Sequence, residues 1–228
     1  MMALRLIRAL MARSNAQKES RAMLKLYAGL AVVAIAGLLG GTALVAWQQR
    51  SNDPFADCRS SAVAGGGGDI GGPFTLVDEN NKTVTDQEVL SKPSLVYFGY
   101  SFCPDVCPLD GARNAEAVDL LKAQGLNVTP VFITIDPERD TPEVLKDFTE
   151  NLHPEMVGLT GTPEQVQVAS RAYKTIYRKQ ETGDQYYMMD HSTFTYLMLP
   201  GIGFADFFTR DDTAEQMAKR TACFIEKS

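Results

Sequence analysis

From Leu26 to Trp47 the chain carries no charged residue, long enough as a helix to cross a bilayer. Polar and glycine-rich residues then run from Gln48 to Gly72, with Gly65 to Gly68 at their centre, and predict a flexible tether. From Phe74 the pattern turns to short strands. Phe74–Val77 and Thr83–Thr85 flank a polar turn and predict a hairpin. Pro93–Tyr100 is almost continuously apolar, as expected of a strand buried on both faces. A helix is predicted over Leu109–Gln124, closed by Gly125, and a strand over Val128–Ile135. Thr141 is placed to cap a helix reaching Asn151, with Pro142 at its first position. Thr162 opens another helix running to about Tyr173. Thr193–Leu199 and Gly203–Phe208 read as an antiparallel pair across Pro200-Gly201, and Asp212–Ile225 as a last amphipathic helix.

The predicted order is β-β-β-α-β-α-α-β-β-α, an α/β arrangement. It resembles a thioredoxin-like domain with an N-terminal β-hairpin extension and an inserted helix, preceded by a single transmembrane helix. The chain divides into a basic N-terminal segment (1–25), an anchor (26–47), a tether (48–72) and the thioredoxin-like domain (73–228).

Charge sets the expected topology. Arg5, Arg8, Arg13, Lys18, Arg21 and Lys25 precede the apolar run against Glu19 alone, so the N-terminus is expected in the cytoplasm and the domain outside. The apolar run exceeds the core of a signal peptide and no clear Ala-x-Ala site follows, so an uncleaved anchor is preferred. Residues 2–12 form a basic amphipathic stretch suited to a membrane surface, with a faint likeness to a mitochondrial transit peptide. Without the six basic residues and Glu19, the remaining 16 Lys+Arg stand against 27 Asp+Glu, a net charge of −11. An exterior this acidic argues against nucleic acid or anionic lipid as the domain's partner. It suits cations or a basic protein surface, and solubility alone accounts for it equally well.

Chemistry concentrates in Phe-Gly-Tyr-Ser-Phe-Cys-Pro-Asp-Val-Cys-Pro (98–108), where two of the chain's four cysteines, Cys103 and Cys107, follow the apolar strand. The strand-to-helix junction of an open α/β sheet is the usual place for a site. If the chain turns helical at Cys103, both thiols share one face, at a Cα separation of about 6 Å. That distance allows a disulfide or a shared metal ion. A helix N-terminus also favours the thiolate, so these cysteines are expected to be reactive.

The chain has two histidines. His191, before the late strand pair, is expected to face the cysteines, whereas His153 is read as a surface residue. Two thiolates and an imidazole form a soft donor set that suits copper, Cu(I) or Cu(II), better than magnesium or calcium. Zinc would call for a fourth ligand, which water can supply. Asp190 is a candidate to orient His191. Met188 and Met189 read as core more readily than as thioether ligands.

The cysteine segment, Ile-Asp-Pro-Glu-Arg-Asp-Thr-Pro (135–142) and Asp190-His191-Ser192 together resemble the Sco/SenC family over about residues 70–226. The resemblance implies a copper chaperone that loads the Cu-A centre of cytochrome c oxidase, with Cys103, Cys107 and His191 as copper ligands. It makes the Cu-A-bearing subunit the expected target, with an upstream periplasmic copper donor and a thioredoxin-like reductant as further partners. The alternative is a thiol–disulfide oxidoreductase that reduces the target's cysteines by exchange through the same pair. The expected location is the inner membrane facing the periplasm, or the mitochondrial inner membrane facing the intermembrane space.

In the 135–142 stretch, Asp136 and Asp140 are candidates to cap the following helix, with Arg139 paired to either acid. Cys58 and Cys223 both fall on the oxidising side of this topology, and a disulfide between them is expected on that ground.

Overall fold

Every residue of strand β3 (Ser94–Gly99) is buried, the outcome of a near-continuous apolar run placed inside a sheet. The computed structural model describes residues 29–46, 48, 53–59, 70–180 and 187–228. The expected basic segment 1–25, with its amphipathic stretch, and the glycine run 65–68 lie outside the described residues. The chain divides into two units, Met1–Ala56 and Asp57–Ser228. In the first, helix α1 (Gly29–Ala46) is long and apolar enough to cross a membrane.

The second unit carries β1 (Thr75–Asp78), β2 (Thr83–Thr85), α2 (Asp86–Val89), β3, α3 (Val106–Ala123), β4 (Thr129–Thr134) and α4 (Pro142–Leu152). It continues with β5 (Val157–Thr160), α5 (Pro163–Ala172), β6 (Tyr177–Lys179), β7 (Met189–His191), β8 (Thr195–Leu199), β9 (Gly203–Phe208) and α6 (Ala214–Glu226). Seven strands form one mixed sheet in the order β2-β1-β5-β4-β3-β8-β9, and β6 and β7 form a separate two-stranded sheet. Strands β3, β4 and β5 run parallel, with Val96 opposite Val131 and Ile133 opposite Leu159. The expected β1–β2 hairpin joins the sheet through antiparallel pairing of β1 with β5.

Four elements, α2, β5, β6 and β7, change the expected order. A strand, β5, separates α4 from α5, so these helices belong to successive β-α units and α5 is not an insertion. Thr149 and Leu145 of α4 crowd Gly158 of β5, where an added Cβ would lie 3.1 Å from Thr149 Cγ2. That close approach favours a residue without a side chain, and glycine also dilutes the apolar signal of a four-residue strand. The short helix α2 was not expected either. Its N-terminus is closed by Glu88, whose carboxylate accepts from the Thr85 N–H at 2.9 Å.

The other helix starts follow the sequence. Thr141 accepts from Val144 N–H, and Thr162 and Thr213 each form a reciprocal pair with a glutamine three residues on. Helices cover both faces of β3. Tyr97 reaches Asp110 of α3 on one face, while Phe98 packs against Tyr173, at the end of α5, with ring centroids 5.2 Å apart. Alternation along a strand sends neighbouring side chains to opposite faces, so the next strand residue toward α3, Gly99, points at the start of that helix.

Candidate metal centre

The site lies where β3 passes into α3. Helix α3 begins at Val106, three residues later than Cys103, so only Cys107 is helical. The helix expected over Leu109–Gln124 thus begins three residues earlier, and the condition that the chain is already helical at Cys103 is not met. Asp105 occupies the cap position but its side chain makes no capping bond. Instead the Cys107 N–H points at Cys103 Sγ, at 3.3 Å. A sulfur thus stands where an oxygen usually satisfies an open helix end. Both cysteines are buried, Cys107 completely.

Glycine at position 99 makes room for the second thiol. A Cβ there would lie 3.0 Å from Cys107 Sγ, 2.8 Å from the Tyr97 ring and 3.1 Å from the Phe132 ring. Ser101 begins the cysteine loop and is tied down by Asp140, which accepts from its N–H at 3.1 Å and from its hydroxyl. Thr134 also donates to Asp140, at 2.5 Å. Burial raises the Asp140 carboxyl above its ordinary range, and these hydrogen bonds only partly offset the effect. Asp140 therefore fixes the cysteine loop and does not cap α4, which uses Thr141. Arg139 pairs with Asp136 and not with Asp140.

His191 arrives from the separate β6–β7 hairpin. Its Nδ1 lies 2.9 Å from the Ser192 carbonyl, which can only accept, so the proton sits on Nδ1. That leaves Nε2 as the ring atom facing Cys107 Sγ, at 3.4 Å. The imidazole packs edge-on against Tyr97 and Tyr100, with centroids 6.2 and 5.8 Å away. Asp190 points elsewhere, to Arg178 and Gln180 at 3.0 and 2.6 Å, so the expected Asp190–His191 contact is replaced by the Ser192 carbonyl.

Among the described residues, the Cys103, Cys107 and His191 ligand atoms all lie within 4.8 Å of one another. The two thiols differ electrostatically. Hydrogen bonding from Cys107 lowers the Cys103 thiol well below the ordinary range, against its burial, with contributions from His191 and backbone N–H groups. The same interaction, with burial added, raises Cys107. The arrangement biases Cys103 toward the thiolate and Cys107 toward the thiol, with the His191 ring within reach of both.

His153 is buried, not a surface residue as expected. Its Nδ1 accepts from the Glu155 N–H at 3.0 Å and its Nε2 lies 3.3 Å from Asp119, so it closes the turn after α4. Met188 is exposed and Met189 packs against the core. Cys58 and Cys223 are joined, with S–S 1.98 Å and Cα atoms 5.6 Å apart. Tyr97, Tyr100, Asp110 and Tyr187 also shape the site, and sequence reasoning passed over them. The period-2 pattern of β3 offered a signal for Tyr97 alone, on the same face as Gly99.

Fold and site together define an α/β protein with a strand-end Cys-Cys-His cluster, suited to a soft metal ion or to thiol exchange. The SCO1/SenC family model matches residues 63–226, and the chain belongs to that family. It is 51% identical to Protein SenC of Rhodobacter capsulatus over 201 residues, covering 88% of this chain and 89% of the relative. It is 36% identical to the human mitochondrial Protein SCO1 homolog, covering 67% of this chain and 52% of that one. Among solved structures it is similar to Arabidopsis thaliana ScoI with copper bound (TM-score 0.66, 36% identity, 69% of this chain and 99% of that one). The corresponding values for Bradyrhizobium japonicum ScoI with copper bound are TM-score 0.62, 37% identity, 67% and 98%. The expected family and thioredoxin-like α/β class agree with these similarities.

Proposed function

We propose that this chain is a membrane-anchored copper metallochaperone that holds one copper ion through Cys103, Cys107 and His191 and delivers it to the Cu-A centre of cytochrome c oxidase. The observation that carries this reading is the convergence of two sulfurs and an imidazole nitrogen within 4.8 Å. Such a soft donor set fits copper in either oxidation state, and the Arabidopsis and Bradyrhizobium relatives hold copper in their structures. Cys103 offers a ready thiolate, Cys107 loses its proton on binding, and the Ser192 carbonyl orients His191. Incoming cysteines of the acceptor take the ion by ligand exchange. The apolar helix α1 supplies the anchor, within an expected span of 26–47. The basic residues before it favour a cytoplasmic N-terminus, placing the 73–228 domain in the periplasm.

The test is anaerobic titration of the reduced full chain in detergent with Cu(I), and with Cu(II) monitored by thiolate charge-transfer absorption. One ion per chain is expected, with weaker binding in His191→Ala, Cys103→Ser and Cys107→Ser. Unchanged affinity in all three variants overturns the reading.

A second reading, thiol–disulfide reduction of the acceptor's cysteines, draws on the asymmetry of the pair. A low-pKa Cys103 beside a protonated Cys107 is the arrangement of an attacking thiolate and its resolving thiol. Catalytic reduction of an acceptor disulfide by the copper-free chain, lost in Cys103→Ser, would favour it.

A further inference from the structure

His191 sits on a short hairpin outside the seven-stranded sheet, so side chains must fix its distance from the cysteines. Along the extended chain leading to it, Tyr187 is buried, Met188 exposed, Met189 partly buried and Asp190 exposed. That alternation places Tyr187, Met189 and His191 on one inward face.

Tyr187 enters the loop between β4 and α4. Its hydroxyl donates to Asp136 Oδ1 at 2.7 Å, while the other Asp136 oxygen accepts from Arg139 Nε at 2.5 Å. Burial and the Asp136 bond raise the Tyr187 phenol, which keeps it a donor. The Arg139 guanidinium carbon lies 3.7 Å from the Tyr187 ring centre. The same group lies 4.8 Å from the Phe102 ring and 5.7 Å from the Tyr100 ring. Its Nη2 is buried with no hydrogen-bond partner among the described residues, and aromatic faces stand where an acceptor would. Phe102 adjoins Cys103, and the Tyr100 hydroxyl accepts from the Met189 N–H at 3.2 Å. Arg139 therefore touches the cysteine segment on one side and the histidine segment on the other.

We infer that Arg139 and Tyr187 are positioning residues that clamp the His191 hairpin to the cysteine loop and so set the geometry of the Cys-Cys-His cluster. The inference rests on the proposed copper site for its consequence, but not for its geometry.

The experiment is a double-mutant cycle on the full chain in detergent, reduced and anaerobic, with Cu(I) affinity measured against a chromophoric competitor. Tyr187→Phe removes one oxygen, and Arg139→Lys keeps the charge but loses the planar stack. Each is expected to weaken binding about ten- to a hundredfold, as loss of a group supporting a metal ligand does. In a His191→Ala background the same changes should have no effect, because they act through His191. An equal loss in both backgrounds, or no loss in the wild-type background, overturns the clamp. Histidine side-chain ¹⁵N NMR of the copper-free chain gives a second readout. Tyr187→Phe should shift the His191 resonances and leave those of His153 in place, and unmoved His191 resonances also overturn the inference. If wild type binds no Cu(I), or His191→Ala binds it as tightly, the copper reading fails while the NMR result still decides the clamp.

Discussion

The Tyr97 hydroxyl donates to the buried Asp110 carboxylate at 2.9 Å, directly behind Cys107. Arg113 and Arg210 complete the surroundings of Asp110 at 3.4 and 3.6 Å. A carboxylate in the wall of a thiol site is costly to bury and is kept there by donors on several sides. Tyr97→Phe takes away the shortest of these bonds without changing the ring. It should destabilise the reduced chain by about 1–3 kcal/mol, the usual cost of leaving a buried acceptor short of a partner. Urea unfolding followed by far-UV dichroism measures the loss, and an unchanged midpoint would show that the arginines suffice.

Cys103 and Cys107 should part company in reactivity. Because Cys103 is shifted below the ordinary thiol range, it is already a thiolate at neutral pH, and its alkylation should hold its rate as pH falls from 8 to 6. Cys107 is shifted the other way, so it stays protonated and unreactive over that window. Timed iodoacetamide labelling of the metal-free chain with peptide mass spectrometry reads both sites. Parallel labelling, with rates climbing together through pH 8, would contradict the assignment.

Gly99→Ala places a methyl group against Cys107 Sγ, Tyr97 and Phe132 at once. None of these is a free side-chain end, since all three are buried. The expected cost is about 1–3 kcal/mol from overpacking, with weaker Cu(I) binding because the sulfur must move. Thermal unfolding and copper competition on the same sample check the two effects.

The Cys58–Cys223 bridge closes a loop with a sequence separation of 165. Loops of this length restrict the unfolded chain strongly, so the Cys58→Ser/Cys223→Ser double variant should lose about 2–5 kcal/mol. Its copper affinity should stay at the wild-type value, since neither sulfur belongs to the Cys-Cys-His cluster. Denaturant midpoints and Cu(I) competition together separate a structural bridge from one that shapes the site.

Legibility in the sequence followed the strength of local signals. Leu95–Phe98 announced a buried strand because no polar residue interrupts it, and Thr141 and Thr162 announced helix starts because each precedes proline. Strand β5 did not, since Gly158 suits the close approach of α4 and weakens the strand's own apolar signal. The strands β6 and β7 were hidden by their composition, Tyr-Arg-Lys and Met-Asp-His, whose exposed members pair with one another across the hairpin. The two cysteines and His191 were legible as chemistry from rarity and spacing. Their surroundings were not, because the contacts of Asp140 with Ser101 and of Tyr187 with Asp136 span 39 and 51 positions. His153 misled for a related reason. A histidine beside proline reads as a loop residue, and only the fold reveals that the loop is buried.

The separation of the β6–β7 hairpin from the main sheet bears on how a bound ion would leave. Cys103 and Cys107 move with the main body, since β3 and α3 are locked between neighbours on both sides. His191 belongs to a hairpin that shares no rung with the seven-stranded ladder and is held to the main body by side-chain contacts such as Tyr187–Asp136 and Met189–Tyr100. The cluster is therefore built from two sulfurs carried by the β3–α3 junction and one nitrogen carried by the separate hairpin. On the copper-chaperone reading proposed above, release of those side-chain contacts would open a coordination position for an acceptor while the sulfurs keep their grip, so the cargo need never be free in solution during the handover.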